Sequence, residues 1–161
     1  MKIILLILFS ISIYAQPEFR FYDGPEHFRL SIITDPYASY KEGGLYIGGS
    51  LEYTGLVSIG ANVETFSALE DGYIALFGNI DLNFTSGYNH NIWYYFGGRL
   101  GAINRQSTNA FAGIHSGIDI NLTKTMFIGG RLSYDYRSDQ EFYDYPNHMQ
   151  YNGYLRLGFK F

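Results

Sequence analysis

Four histidines, one His-Ser neighbour pair and fifteen acidic residues are the groups through which this chain could do chemistry. His115 and Ser116 are adjacent, and neighbours in an extended strand point to opposite faces. The imidazole therefore cannot take the proton of that hydroxyl directly. His27, His90 and His148 lie in connecting stretches, the last near Asp144 and Tyr145. The acidic loop residues Glu70, Asp71, Asp139, Glu141 and Asp144 lack the spacing of an EF-hand calcium loop. Cysteine is absent, which excludes disulfides, thiolate metal sites and a cysteine nucleophile. No catalytic residue, cofactor or metal site is expected. His115 is expected to join a polar network.

That network has visible members. Glu52, Glu64, Asp81 and Asp119 with Asp135 share one face of their segments with Arg99, Arg131, Arg137, Arg156 and Lys160. Eight glycines lie on the same face: Gly48, Gly60, Gly97, Gly101, Gly113, Gly117, Gly129 and Gly158. Five acids against five bases suggests mutual pairing, because unpaired buried charges are costly.

The elements that carry these residues are strands. From residue 28 the chain falls into eight alternating segments, at 28–34, 43–53, 57–66, 73–84, 91–103, 110–122, 125–137 and 150–161. No window sustains a 3.6-residue apolar period, so no helix of consequence is expected. The links alternate in character. Thr54-Gly55 and Thr123-Lys124 are tight and 85–90 is moderate, whereas 35–42, 67–72, 104–109 and 138–149 are longer and more polar. An antiparallel barrel with short turns on one rim and longer loops on the other has this rhythm.

Aromatic residues make up 19% of the chain and charged residues 16%, which suits an all-β protein. The net charge of −4 and the lack of a basic cluster argue against a nucleic-acid partner. Residues 1–15 read as a removable signal peptide. Lys2 supplies the positive end, 3–13 is apolar but too short to span as a helix, and Ala15 precedes the cleavage point. Residues 16–27 read as an irregular lead-in, where Phe19 and Phe21 leave room for a short extra strand. The barrel domain is expected over 28–161.

Alternation alone does not separate a membrane barrel from a soluble one; the contents of the two faces do. The apolar face of segments two to eight carries no charge, and a Lys or Arg there would cost about 2–4 kcal/mol at a bilayer midplane. A solvated exterior has no reason to prefer glycine, whereas a narrow eight-stranded lumen does. The charged face is therefore expected to be the lumen, holding Glu52, Glu64, Asp81, Arg99, His115, Asp119, Arg131, Asp135, Arg156 and Lys160. Tyr53, Phe84, Tyr94, Phe159 and Phe161 fall towards one rim on the lipid side, and Tyr134, Tyr136 and Tyr151 towards the other. Such girdles are expected at two membrane interfaces. An eight-stranded lumen is filled by side chains, so an open pore is not expected. The alternative is a secreted soluble barrel of lipocalin type with an apolar ligand inside.

On these features the chain resembles the small outer-membrane β-barrels of the OmpA membrane domain and OmpX type. The most specific element is the last segment, where Tyr151, Leu155, Leu157, Phe159 and Phe161 alternate up to an aromatic end. The resemblance implies an eight-stranded antiparallel up-and-down transmembrane barrel in the outer membrane, with that segment read by the barrel-assembly machinery. It also implies lipid as a constant partner, a monomer, and no tethering by a following peptidoglycan-binding domain. Some members of this class modify lipid A with His and Ser; the spacing of two residues on one face is not matched by His115 and Ser116. Phe142, Tyr143 and Tyr145 in the last loop are the expected recognition surface for an extracellular partner.

Overall fold

The computed structural model describes residues 19–67, 72–86, 91–139 and 148–161. The expected signal peptide, His90 and the loop residues Phe142, Tyr143 and Tyr145 lie outside the described residues. Along the chain run β1 (Arg20–Phe21), β2 (His27–Thr34), α1 (Pro36–Glu42), β3 (Leu45–Thr54), β4 (Val57–Ser67) and β5 (Tyr73–Ser86). They are followed by β6 (Ile92–Asn104), β7 (Thr108–Asn121), β8 (Met126–Arg137) and β9 (Met149–Lys160). Each boundary of β2 to β9 falls within two residues of the segment read from alternation.

Every strand from β2 to β9 pairs antiparallel with its sequence neighbours, and β9 returns to pair with β2. The result is a closed barrel of eight strands with no free sheet edge along its wall. β1 is a ninth, two-residue strand that pairs with β5 at Phe84 and Thr85, beyond the point where β4 begins. Closure follows from a two-residue period held over eight consecutive segments. A slip of one residue at any ladder would turn that strand's charges outward.

Two features depart from expectation. The β2–β3 link holds a helix of seven residues, α1, where an irregular loop was expected. Its stop signals are chemical rather than periodic. Asp35 caps the first turn by accepting from the Ala38 amide at 2.8 Å, Pro36 opens the helix, and Gly43 ends it at φ 65°. The helix is too short for an apolar period to register. Asp35 also accepts from the Gly153 amide at 3.2 Å, tying α1 to β9. The second departure is the β6–β7 link, expected to be long; β6 and β7 stay paired out to Asn104 and Thr108, leaving only residues 105–107. We call the rim carrying α1 and that link the loop rim, and the opposite one the turn rim.

The burial of side chains alternates along each strand. Leu100, Leu132, Ile59, Ile80 and Leu155 are more than half exposed on the outer wall, while Arg131, Arg156, Asp119 and Asp135 are at most 2% exposed inside. Among the described residues of β2 to β9, no Asp, Glu, Lys or Arg stands on the outer face.

Candidate functional site: the charged interior

The ladder registers place the interior charges in two clusters along the barrel axis. Towards the turn rim, Arg29 meets Asp119 at 2.5 Å, and Asp119 also faces Arg156 at 3.4 Å. Arg156 reaches Glu52 at 2.8 Å, and Glu52 takes Arg131 at 2.9 Å on its other oxygen. Tyr95 presents its hydroxyl to Arg156 at 3.0 Å, and Ser31 accepts from the same guanidinium. Towards the loop rim, Arg99 grips both oxygens of Asp135, one of them from Nε at 2.7 Å. It also donates to Ser133 and to the Tyr154 hydroxyl, and lies 3.6 Å from Glu64. Tyr46 donates its phenol to Glu64. Between the clusters, Asn62, Asn79 and Asp81 form a hydrogen-bonded chain, and His115 Nε2 lies 2.6 Å from Asp81.

Nine of the ten expected lumen residues thus lie in these clusters and their junction. Lys160 stands apart at the turn rim, where it donates to Asn121 at 2.7 Å. Arg137 likewise sits at the loop rim, paired with Asp139 at 2.8 Å. The base that joins the turn-rim cluster instead is Arg29 of β2, the shortest barrel strand, which charge counting missed. Its parity with Ser31 and Ile33 was the available signal. The interior aromatics were also missed. The Arg99 guanidinium sits 5.0 Å from the Phe77 ring centre, 4.8 Å from Phe111 and 5.2 Å from Tyr154, and Arg29 lies 3.8 Å from Phe127. Rings beside the guanidinium groups pack the lumen around its charges.

The glycines complete the arrangement. Each of the five buried carboxylates carried by the barrel strands has a glycine directly across a strand ladder: Glu52 faces Gly60, Glu64 faces Gly48, Asp81 faces Gly97, Asp119 faces Gly129 and Asp135 faces Gly113. A Cβ at Gly97, Gly113 or Gly129 would run into the carboxylate opposite, and one at Gly48 would come within 2.9 Å of the Glu64 stem. On the outer wall the nearest heavy atom to such a Cβ is 3.6 Å away at Gly78 and Gly130, and 3.8 Å at Gly98. Interior glycines make room for acids to lie flat and reach basic partners two or three strands away.

His115 and Ser116 do not form a nucleophile–base pair. Ser116 is exposed on the outer wall, and His115 is buried beside Asp81. Ser133, opposite His115 on β7–β8, donates to Asp135 and accepts from Arg99. No group of three or more potential metal ligands occurs among the described residues. An apolar ligand inside, as the lipocalin-type alternative requires, would have to replace this ionic filling.

The residues of the terminal segment lie on the wall. Tyr151, Leu155, Leu157, Phe159 and Phe161 are exposed, and Tyr151 stacks on Tyr134 with ring centres 4.5 Å apart. At the turn rim, Phe19 and Phe21 each stack on Phe84, and Phe28 lies against Tyr53 and Phe161. β1 therefore widens the aromatic girdle as well as the sheet. The chain from β1 then turns inward. Tyr22 packs 4.2 Å from Trp93 and donates to the Pro25 carbonyl. Burial, helped by Asp23, pushes the Tyr22 phenol above its ordinary pKa and keeps it a donor.

No family model and no curated protein matches the sequence. Solved structures do match. The chain is similar to Neisserial surface protein A at 12% identity and a TM-score of 0.55, covering 84% of this chain and 95% of that one. It is similar to the Yersinia pestis outer membrane protein Ail in phospholipid nanodiscs at 12% identity and a TM-score of 0.54, over 85% and 100% of the two chains. The N-terminal barrel domain of Pseudomonas aeruginosa OprF matches at 15% identity and a TM-score of 0.55, over 86% and 100%. At these identities what is shared is the fold, that of small outer-membrane barrels with eight strands.

Proposed function

We propose that the protein is a non-enzymatic outer-membrane barrel with a structural and surface-interaction role, its lumen closed by the ion pairs described above. The observation that carries this reading is the inversion of the two faces. The wall is apolar from β2 to β9, and the charges are buried inside. In water such a wall would leave a large continuous apolar surface, which soluble monomers avoid. In a bilayer the same wall is matched to its solvent. The signal peptide of residues 1–15 would direct export, and the alternating β9 with Phe161 would serve the barrel-assembly machinery.

The surface role rests on the loop rim. Tyr40 is 90% exposed and Tyr37 69%, three residues apart on one side of α1. With Phe142, Tyr143 and Tyr145 of the last loop they would offer aromatic contact area to an extracellular partner. The test of the reading is purification of the mature protein. It is expected to require detergent for solubility, to fractionate with the outer membrane, and to migrate differently on gels before and after boiling. A stable monomer extracted without detergent would overturn it.

A further inference from the structure

The interior clusters leave a mixed polar and apolar cavity without a role. At the turn rim lies a cavity of about 480 Å³, whose lining includes the aromatic pair Tyr22 and Trp93 and the polar residues Asn121, Lys124, Thr125 and Lys160. Among its described lining residues are two lysines and no acidic side chain. Lys160 lies directly across the β2–β9 ladder from Arg29, a like-charge relation that is destabilising. Arg29 is neutralised by Asp119, which Arg156 also engages. Lys160 has the neutral amide of Asn121 as its hydrogen-bond partner instead. Lys124 is exposed in the β7–β8 link.

The chemistry of the donors narrows the ligand. Within the barrel the carboxylates are held largely by forked guanidinium groups. Here the cations are ammonium groups, point charges that bind phosphate without a fixed fork geometry, beside neutral amide and hydroxyl donors. The lining also brings Trp93, buried and flanked by Tyr22 at 4.2 Å and His27 at 5.5 Å, as a wall for an apolar or planar group.

We propose that the turn-rim cavity binds a phosphate-bearing ligand. Lys124 and Lys160 neutralise the phosphate, Asn121 and Thr125 supply hydrogen bonds, and the Tyr22–Trp93 wall packs against the attached group. A soluble phosphorylated solute and a phospholipid head group of the adjoining leaflet present the same chemistry.

Trp93 is the only tryptophan of the chain, so intrinsic tryptophan emission arises from the wall of this cavity. The full chain, folded in dodecyl maltoside micelles, is titrated with inorganic phosphate and glycerol 3-phosphate, with sodium chloride at matched ionic strength. In a second arm the micelles are doped with phosphatidylglycerol or with phosphate-free diacylglycerol. A saturable change in emission is expected in at least one arm, with affinity about tenfold weaker in Lys124→Gln and in Lys160→Gln. A response to the soluble phosphates identifies a solute ligand; one confined to phosphatidylglycerol identifies a lipid head group. No saturable change in either arm, an equal change with chloride or diacylglycerol, or affinity unchanged in the variants overturns the proposal. Lys124 is exposed in a link, so its variant keeps the test decisive even where Lys160→Gln fails to fold.

Discussion

Gly129→Ala is expected to destabilise the barrel by about 3–5 kcal/mol, while Gly130→Ala, one residue on, changes stability by no more than about 0.5 kcal/mol. The two glycines differ only in the face they present. A methyl group at Gly129 would occupy the position of an Asp119 carboxylate oxygen and come within 2.6 Å of the Ile118 carbonyl. The ladder backbone cannot move without breaking its pairings, so Asp119 must leave Arg29 and Arg156. Displacing one member of a buried ionic cluster strands the others, and that cost is what the variant measures. At Gly130 the same methyl would point outward, 3.6 Å from its nearest neighbour, and would slightly favour the strand by reducing the freedom of the unfolded chain. Reversible urea unfolding in detergent or vesicles reads both. Equal effects at the two positions would mean that the interior is not packed around its acids.

Arg99→Met is expected to cost about 3–5 kcal/mol, and Arg99→Lys a large part of that although the charge is kept. Arg99 holds Asp135 with two nitrogens, donates to Ser133 and Tyr154, and stacks among three rings. An ammonium group has neither the fork nor the plane to reproduce this set. Removing Asp135 together with Arg99, as Arg99→Met with Asp135→Leu, is expected to cost less than the sum of the single changes, because the double variant buries no orphaned partner. Additive costs in that cycle would contradict a coupled pair.

The barrel was legible in the sequence because its period is two and its faces differ in chemistry. The charges of Glu52 and Arg156 mark one parity, and Leu155 and Leu157 the other, so eight segments and their inward faces could be read without any contact. The pairings were not legible. Arg131 finds Glu52 and Arg156 finds Asp119 across distances in sequence that depend on how the registers stagger around the ring, which parity does not encode. Charge counting therefore put Lys160 in the network and left out Arg29, although the two face each other across one ladder. The glycines were read as small fillers. Their further property, each opposite an acid, needs the register before it can be seen. α1 escaped because a helix of seven residues carries too few apolar positions for a period, and only Asp35, Pro36 and Gly43 announce it.

The central claim, that the apolar wall meets lipid and the charged face meets itself, has a direct test. The chain contains no cysteine, so single cysteines at Leu100, Leu132 and Leu155 can each carry a spin label. Relaxation of the label in bilayers by oxygen, which concentrates in hydrocarbon, is compared with relaxation by a water-soluble nickel chelate. Oxygen-dominated relaxation is expected at all three positions, and nickel-dominated relaxation for a label at Tyr40 of α1. Nickel-dominated relaxation at Leu100, Leu132 and Leu155 would contradict the claim.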